Sequence, residues 1–422
     1  MDFRIQPAGR LGGGVEAPAS KSYTIRAVLS SLLAEGVSTV RSPLLSRDTE
    51  AAFNACRMFG GEVELRGRAA SITGTGGALK APSAVVDTLN SGTTIRICTA
   101  LASLAPGKVT LTGDDSVRRR PLGPLLDALS ELGVKASSDG GLPPAVVEGP
   151  LKGGVCRMPG NVSSQFVSAL LMAAPYARAD VSLELTSPLK SRPYVDLTLR
   201  MMGLFGVEAG NRGYEGFTVA SGQVYRGVDY TVEGDYSSAA FILAAAALTE
   251  SEVKVGNLLC DSLQADRRIL SIISQMGADV DGGKDSVTVR SDGRLTGVTV
   301  DLSDSPDLVP IVSVLGAHAK GRTEIVNAAH ARLKECDRLR AMASELAKMG
   351  AKVREKPDGL VISGGGLKGA RVDGWLDHRV IMALAVAGLK AEGETVVSGA
   401  EHVDVTFPGF RDAMNSIGGR IR

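Results

Sequence analysis

A chain of 422 residues with 44% hydrophobic but only 4% aromatic content is too long for one ordinary core, so at least two domains with aliphatic cores are expected. Lys plus Arg total 47 against 46 Asp plus Glu, and the formal net charge of +1 excludes a global field for nucleic acid or acidic lipid, so any anion site must be local. The five cysteines, Cys56, Cys98, Cys156, Cys260 and Cys336, form no CxxC pair, and the N-terminus has no apolar signal core; free thiols, no structural zinc, no membrane span and a cytoplasmic location are expected.

The first informative stretch is Leu11-Gly12-Gly13-Gly14, a crossing strand or a hinge. Ser20-Lys21-Ser22 then opens the first of six segments that begin with small or polar residues and continue almost wholly apolar. The others start at Asn90-Ser91-Gly92, Asn161-Val162-Ser163-Ser164, Asp235-Tyr236-Ser237-Ser238, Ser305-Pro306-Asp307 and Asp377-His378-Arg379. Good N-caps followed by bodies such as Phe241 to Ala246 predict helices buried on every side, with only their first turns near water. Between them lie amphipathic helices, such as the one carrying Leu122, Leu125, Leu126 and Leu129, and each ends in a similar tripeptide: Phe59-Gly60-Gly61, Leu132-Gly133-Val134, Phe205-Gly206-Val207, Met276-Gly277-Ala278, Met349-Gly350-Ala351 and Ile417-Gly418-Gly419. The glycines are spaced by 73, 73, 71, 73 and 68 residues, the signature of six repeated units. Strand-like runs such as Val109 to Thr112 and Val396 to Ser398 accompany them, so the class is α/β or α+β.

A helix start offers unpaired N–H groups and a partial positive charge, so three starts on one face of each domain would make a pocket for phosphate or carboxylate. The same starts carry basic side chains. Lys21, Ser22 and Arg26 share one opening turn and a half, with Ser22 and Arg26 four apart on one face; read alone, this is also an ordinary solvated helix start. Arg96 lies one turn inside the second helix, and Arg118-Arg119-Arg120-Pro121 suits bidentate grip of an anion or a plain basic loop. Ser163, Ser164 and Gln165 bind or merely cap. Lys334 and Arg338 share one face of a helix with Glu335 beside them, an anion grip or a surface ion-pair ladder. Asp307 sits in a first turn, where the helix dipole alone would favour it. Arg379 leads into a buried apolar helix and would be costly there unless an anion or an acid meets it.

In order along nearly the whole chain, these segments resemble the 5-enolpyruvylshikimate-3-phosphate synthase family: Ser20-Lys21-Ser22 with Arg26, Asn90 to Arg96, Arg120-Pro121, Ser163 to Phe166, Arg192-Pro193-Tyr194, Lys334-Glu335 with Asp337-Arg338, and Asp377-His378-Arg379. The resemblance implies an inside-out α/β barrel fold with two similar domains of three βαβαββ-type repeats each. The expected lobes are 17–233, and 1–16 with 234–422, joined by two crossovers. It implies that Lys21, Ser22, Arg26, Ser163, Ser164, Gln165, Ser191, Asp307 and Lys334 hold shikimate 3-phosphate, with Tyr194 covering its ring. Lys21, Gly92, Arg120, Gln165, Arg338 and Arg379 would hold phosphoenolpyruvate. In the implied reaction Asp307 is the base near the ring hydroxyl, Glu335 the proton donor to C3, and Lys21 the cation at the bridging oxygen. Lys334 and Arg338 favour the ionised form of Glu335, so donation requires bound anions to offset them. No cofactor, metal, nucleic acid or membrane partner is expected, and a monomer is.

Two positions depart from the better-known members. Val405 precedes Thr406-Phe407-Pro408 where many carry a lysine, so one phosphoenolpyruvate contact is missing or replaced, and His330 stands where some have an asparagine. No transit peptide is expected ahead of Lys21. A sister family transfers the same group to UDP-N-acetylglucosamine but is expected to carry a cysteine ahead of its Arg-Pro, which Arg118-Arg119-Arg120-Pro121 lacks. A non-catalytic six-repeat scaffold, such as a clamp on nucleic acid, is disfavoured by the neutral charge and by basic residues confined to helix starts.

Overall fold

The computed structural model describes residues 1–422, which divide into two compact units. A contiguous lobe comprises Ala19–Val232, and a split lobe comprises Met1–Pro18 with Glu233–Arg422. The chain thus crosses at 18/19 and 232/233, against the expected 16/17 and 233/234.

One plan recurs six times. In the second repeat, strand Val86–Asp87 leads into helix Gly92–Leu101, strand Lys108–Thr112, helix Gly123–Glu131 and the hairpin of Lys135–Asp139 with Leu142–Glu148, the expected βαβαββ order. The first strand pairs parallel to the second, and both hairpin pairings are antiparallel. The same parallel, antiparallel, antiparallel sequence holds in the other four-stranded sheets. Three sheets borrow strands from afar. Asp229–Thr231 returns to complete the first sheet beside Val37–Arg41, and Arg10–Glu16 completes the fourth beside Glu250–Gly256. The Gly-rich stretch is therefore a strand of the split lobe, ending ahead of the crossing at 18/19. In the sixth repeat Asp2–Ile5 pairs with Thr395–Ser398, and the fourth strand shrinks to a bridge between Ile5 and Ile421.

Helices form the inside of each lobe. Lys21–Leu33, Gly92–Leu101 and Ser164–Ala173 lie within the contiguous lobe, and Tyr236–Leu248, Val309–His318 and His378–Lys390 within the split lobe. All thirteen residues of Tyr236–Leu248 are buried, as the absence of a polar face requires. Each lobe has its own aliphatic core. Sheets and amphipathic helices such as Arg47–Met58 and Arg338–Lys348 surround these buried helices. The arrangement is the inside-out α/β one.

The six echoing glycines all adopt left-handed backbone, with φ from 82° to 116°. At each, the glycine N–H bonds the carbonyl three residues back and the next N–H the carbonyl five back, as in Gly206 to Gly203 and Val207 to Met202, both 3.0 Å. This is the Schellman cap, which closes the outer helix and turns the chain into the next strand.

Candidate active-site residues in each lobe

Four of the six buried helices start with a side-chain cap: Ser91 accepts from Thr94 N–H, Ser163 from Gln165, Asp235 from Ser238 and Asp377 from Arg379. The other two differ from expectation. Ser20 makes no side-chain cap bond, and Asp307 sits not in an α-helical first turn but in a 3₁₀ turn, Pro306–Leu308, that feeds Val309–His318.

In the contiguous lobe the cations rest mainly on neutral acceptors. Lys21 Nζ is 2.9 Å from Asp48 Oδ2, at the start of the neighbouring outer helix. Arg96, stacked over Phe166, donates to Gln165 Oε1 at 2.8 Å and to the Gly92 carbonyl at 2.9 Å. Gln165 Nε2 in turn donates to Thr93 Oγ1 at 3.0 Å, so the amide orientation is fixed from both ends. Arg120 Nη2 donates to Ser116 Oγ at 3.0 Å. A Cβ on Gly92 would lie 2.5 Å from Arg120 Nη1 and 2.8 Å from Arg96 Nη1, so glycine is what lets both guanidinium groups approach this helix start. Lys21, Gly92, Arg96, Arg120 and Gln165 therefore belong to the starts of the lobe's buried helices. Ser22 and Ser163 are half-buried at two of these starts and Ser164 is buried at one. Ser191 is buried in left-handed backbone, φ 56°, ahead of Arg192-Pro193, and Tyr194 follows half-buried.

Two expectations need correction here. Arg26 does not share an open face with Ser22. Only 1% exposed, it donates to Thr198 Oγ1 (2.8 Å), the Ser22 carbonyl (3.1 Å), Ser168 Oγ and the Tyr194 carbonyl. All are neutral partners, and burial pulls its guanidinium down to about 10. In this state it braces Lys21–Leu33 against Arg192–Leu204. Nor do the three arginines act together: Arg118 and Arg119 are exposed, and only Arg120 turns inward, behind a short helix capped by Asp114.

In the split lobe the cations are locked to acids. Arg338, 1% exposed, donates through Nη1 to Asp307 (2.6 Å), through Nη2 to Glu335 (2.6 Å) and through Nε to the fully buried Asp377 (2.8 Å). Arg379 Nη2 lies 3.0 Å from Asp307 Oδ2, which supplies the acid that its buried position demanded, and Lys334 Nζ lies 3.8 Å from Asp307 Oδ1. Burial opposes ionisation of Asp307, but Arg379, Lys334 and Arg338 together outweigh it and hold the carboxyl well below the usual range. Burial likewise opposes the charge on Arg338, and Asp377, Glu335 and Asp307 overcome it. Lys334 and Glu335 lie ahead of the helix rather than on its face, since Asp337 is the cap and Arg338 the first helical residue. Asp307, Lys334, Glu335, Arg338 and Arg379 nevertheless form one cluster.

Asp48, Asp266 and Asp377 were not singled out as partners by the sequence. Asp377 carried a visible signal, an acid at a cap before an arginine. Asp48 and Asp266 carried none, because their partners come from other elements. Asp266 is fully buried, accepts a hydrogen bond from Ser237 Oγ, and is pushed up to about 7 by burial first and then by the charge of Asp307, with Arg379 opposing.

Fold and charge together define a six-repeat α/β scaffold whose buried helix starts gather arginine and lysine. The chain belongs to the EPSP synthase (3-phosphoshikimate 1-carboxyvinyltransferase) family, whose sequence profile matches residues 5–414. It is 48% identical to the 3-phosphoshikimate 1-carboxyvinyltransferase of Methanocaldococcus jannaschii, over 99% of this chain and 98% of that protein. The enzyme of the same name from Halobacterium salinarum is also 48% identical, with 99% of each chain covered. An EPSP synthase structure from Acinetobacter baumannii superposes with a TM-score of 0.84 at 28% identity, covering 100% of this chain and 99% of that one. No helix is long and apolar enough to cross a membrane.

Proposed function

We propose that this enzyme transfers the enolpyruvyl group of phosphoenolpyruvate to the 5-hydroxyl of shikimate 3-phosphate, releasing phosphate, in the pathway to aromatic amino acids. The observation that carries the reading is the family match across residues 5–414. The substrate pair brings two phosphates and two carboxylates, whose repulsion must be offset by fixed cations and helix starts. Lys21, Ser22, Ser163, Ser164, Gln165, Ser191, Asp307 and Lys334 are assigned to shikimate 3-phosphate; Lys21, Gly92, Arg120, Gln165, Arg338 and Arg379 to phosphoenolpyruvate. Arg26 can join the first group only by exchanging its present neutral partners for the ligand.

The hydroxyl oxygen adds to C2 as its proton passes to a base and C3 gains a proton from an acid; phosphate then departs with its bonding pair as C3 returns a proton. Asp307 is the assigned base. Clamped by Arg379, Arg338 and Lys334, it is a poor one until ligand anions draw those cations off. Glu335, the assigned donor, accepts from Arg338, and the same exchange must relax that bond before it can carry a proton. Lys21, steadied by Asp48, supplies charge at the bridging oxygen. The enzyme acts as a cytoplasmic monomer on these small molecules, a state that light scattering of the purified protein tests. Phosphate release from phosphoenolpyruvate is expected with shikimate 3-phosphate; release only with UDP-N-acetylglucosamine would overturn the assignment.

A further inference from the structure

Five residues before the closing glycine, the outer helices carry an apolar side chain in five of the six repeats: Ala55, Ala128, Met201, Ile272 and Ala413. The fifth repeat has Glu345 there instead, and it is only 1% exposed. A buried acid where the other repeats place apolar groups is costly unless donors surround it. Glu345 Oε1 accepts from the indole N–H of Trp375 at 2.9 Å and Oε2 from the backbone N–H of Asp373 at 2.8 Å, while Lys348 supplies the counter-charge at 2.7 Å. Those two donors belong to an unusual turn. Trp375 and Leu376, at φ 53° and 54°, are the only adjacent non-glycine residues of the chain in left-handed backbone. The second repeat makes the same approach with one such residue. Leu89, at φ 50°, donates its N–H to Asp87 as Trp375 does to Asp373, and in both the cap follows two residues on, at Ser91 and Asp377. Leu376 is 61% exposed, so its own packing does little to fix it. Arg338 and Glu345 stand two turns apart on one helix. Arg338 bonds Asp377 and Glu345 bonds Asp373 and Trp375, so this helix fastens the segment at both ends.

We infer that Glu345 is a positioning residue for Arg379: it holds the left-handed turn at Trp375 and Leu376 in the arrangement that sets the start of His378–Lys390, and so fixes where that guanidinium meets an anion. Left-handed backbone is sterically disfavoured for any residue with a Cβ, and two in succession persist only where the surroundings hold them. Without the grip of Glu345 the turn relaxes, Asp377 and Arg379 move with it, and the aimed state becomes one among several. A ligand that needs that state then binds more weakly by the fraction lost, but saturating ligand restores it. The effect therefore falls on KM for the ligand of Arg379 and spares kcat.

The inference rests on the proposed function, which assigns Arg379 to phosphoenolpyruvate, so turnover of phosphoenolpyruvate and shikimate 3-phosphate by the unaltered enzyme is the first arm of the test. Glu345→Gln keeps one acceptor and loses the other. Its KM for phosphoenolpyruvate is expected to rise about fivefold, as when the aimed state holds about one-fifth of the population, with kcat nearly unchanged. KM for shikimate 3-phosphate, most of whose assigned partners stand on other elements, should rise less. Trp375 is the only tryptophan, so its fluorescence reports the same turn. A red-shifted emission is expected in the variant, reversed by saturating phosphoenolpyruvate. An unchanged KM, or a raised KM with emission like that of the unaltered enzyme, overturns the inference while leaving the function intact. A merely structural role would lower kcat with the folded fraction and leave KM alone, which overturns it equally. Should Glu345→Gln fail to fold, Trp375→Phe removes the indole N–H bond and must raise the same KM. Adding Leu376→Asn, a side chain that tolerates left-handed backbone, must then bring KM back toward the unaltered value; a KM that stays raised overturns the inference. No turnover by the unaltered enzyme instead sinks the functional reading. Calorimetry with inorganic phosphate then decides the positioning alone: weaker binding by Glu345→Gln sustains it, and equal binding overturns it.

Discussion

The two lobes share a fold and a repeat order but distribute charge in opposite ways. In the contiguous lobe Arg26, Arg96 and Arg120 donate to hydroxyls, carbonyls and the Gln165 amide, and Lys21 pairs with Asp48. In the split lobe Lys334, Arg338 and Arg379 face Asp307, Glu335 and Asp377, with Asp266 behind them. Beyond the Lys21–Asp48 pair, these contacts of the first arrangement are to neutral groups, which an anion can replace without breaking an ion pair. The second stores a neutralised network whose carboxylates become available only when anions replace them as partners. The two lobes thus differ in the partners their cations keep, although both present the same kind of helix start.

That contrast breaks if equivalent cation deletions behave alike. Arg338→Ala leaves three acids around a buried site without their common counter-charge, and a loss of about 3–5 kcal/mol in unfolding free energy by denaturant titration is expected. Arg120→Ala leaves behind a neutral serine contact, so its expected cost falls on phosphoenolpyruvate affinity, about 2–5 kcal/mol, with little change in stability or in binding of shikimate 3-phosphate. Equal losses for both ligands, or a comparable fall in stability, would erase the distinction.

Much of this was legible before any coordinates. The sixfold period was readable because a Schellman cap demands left-handed backbone, and Gly60, Gly133, Gly206, Gly277, Gly350 and Gly418 supply it at nearly even spacing. Buried helices were readable because a run such as Phe241 to Ala246 has no polar face, and Arg379 announced an acidic partner because a lone guanidinium is not buried there. What stayed hidden was the side of a helix that meets its neighbour. Spacing alone puts Ser22 and Arg26 on one side; only packing reveals that Ser168 and Thr198 receive the guanidinium there. Asp48 and Asp266 were hidden for the same reason. Each is an unremarked acid on an outer element, and its meaning comes from a side chain that another element brings to it.

Acid titration sharpens the comparison at the far ends of the buried helices. In the contiguous lobe the hydroxyls of Tyr176 and Tyr225 bond the carbonyls of Leu33 and Met172, groups that do not ionise in acid. In the split lobe Lys390 bonds the carbonyls of Leu248 and Gly293, and His318 lies 3.3 Å from the Ala387 carbonyl. Burial first, then Lys390, pulls His318 down from 6.5 to about 4. Its folded value lies below its unfolded one, so the stability it contributes is complete above about 6.5 and is lost as pH falls toward 4, roughly 3 kcal/mol in all. Asp266 works in reverse: raised from 3.8 to about 7, it favours the folded state increasingly as pH falls through the same window. The two trends largely cancel, which makes the single variants informative. In melting curves between pH 7 and 4, His318→Asn should gain stability relative to the unaltered enzyme as pH falls, and Asp266→Asn should lose it. Parallel curves for all three proteins would reject both assignments.

The smallest expected effect tests what the lobes share. Gly206 closes an outer helix of the contiguous lobe at φ 83°, and Gly350 closes one of the split lobe at φ 92°. A Cβ would meet only Arg226 Cγ, at 3.8 Å, in the first case and nothing within 4 Å in the second. Space is therefore not at issue, and Gly206→Ala and Gly350→Ala isolate the cost of left-handed backbone, offset in part by the stiffer unfolded chain that alanine gives. Each should lower unfolding free energy by about 1 kcal/mol, and by the same amount. Because the cap is a matter of local backbone geometry, it should not register which partners the cations of the surrounding lobe keep. A cost confined to one lobe would mean that the repeats are alike in outline but held together by different interactions.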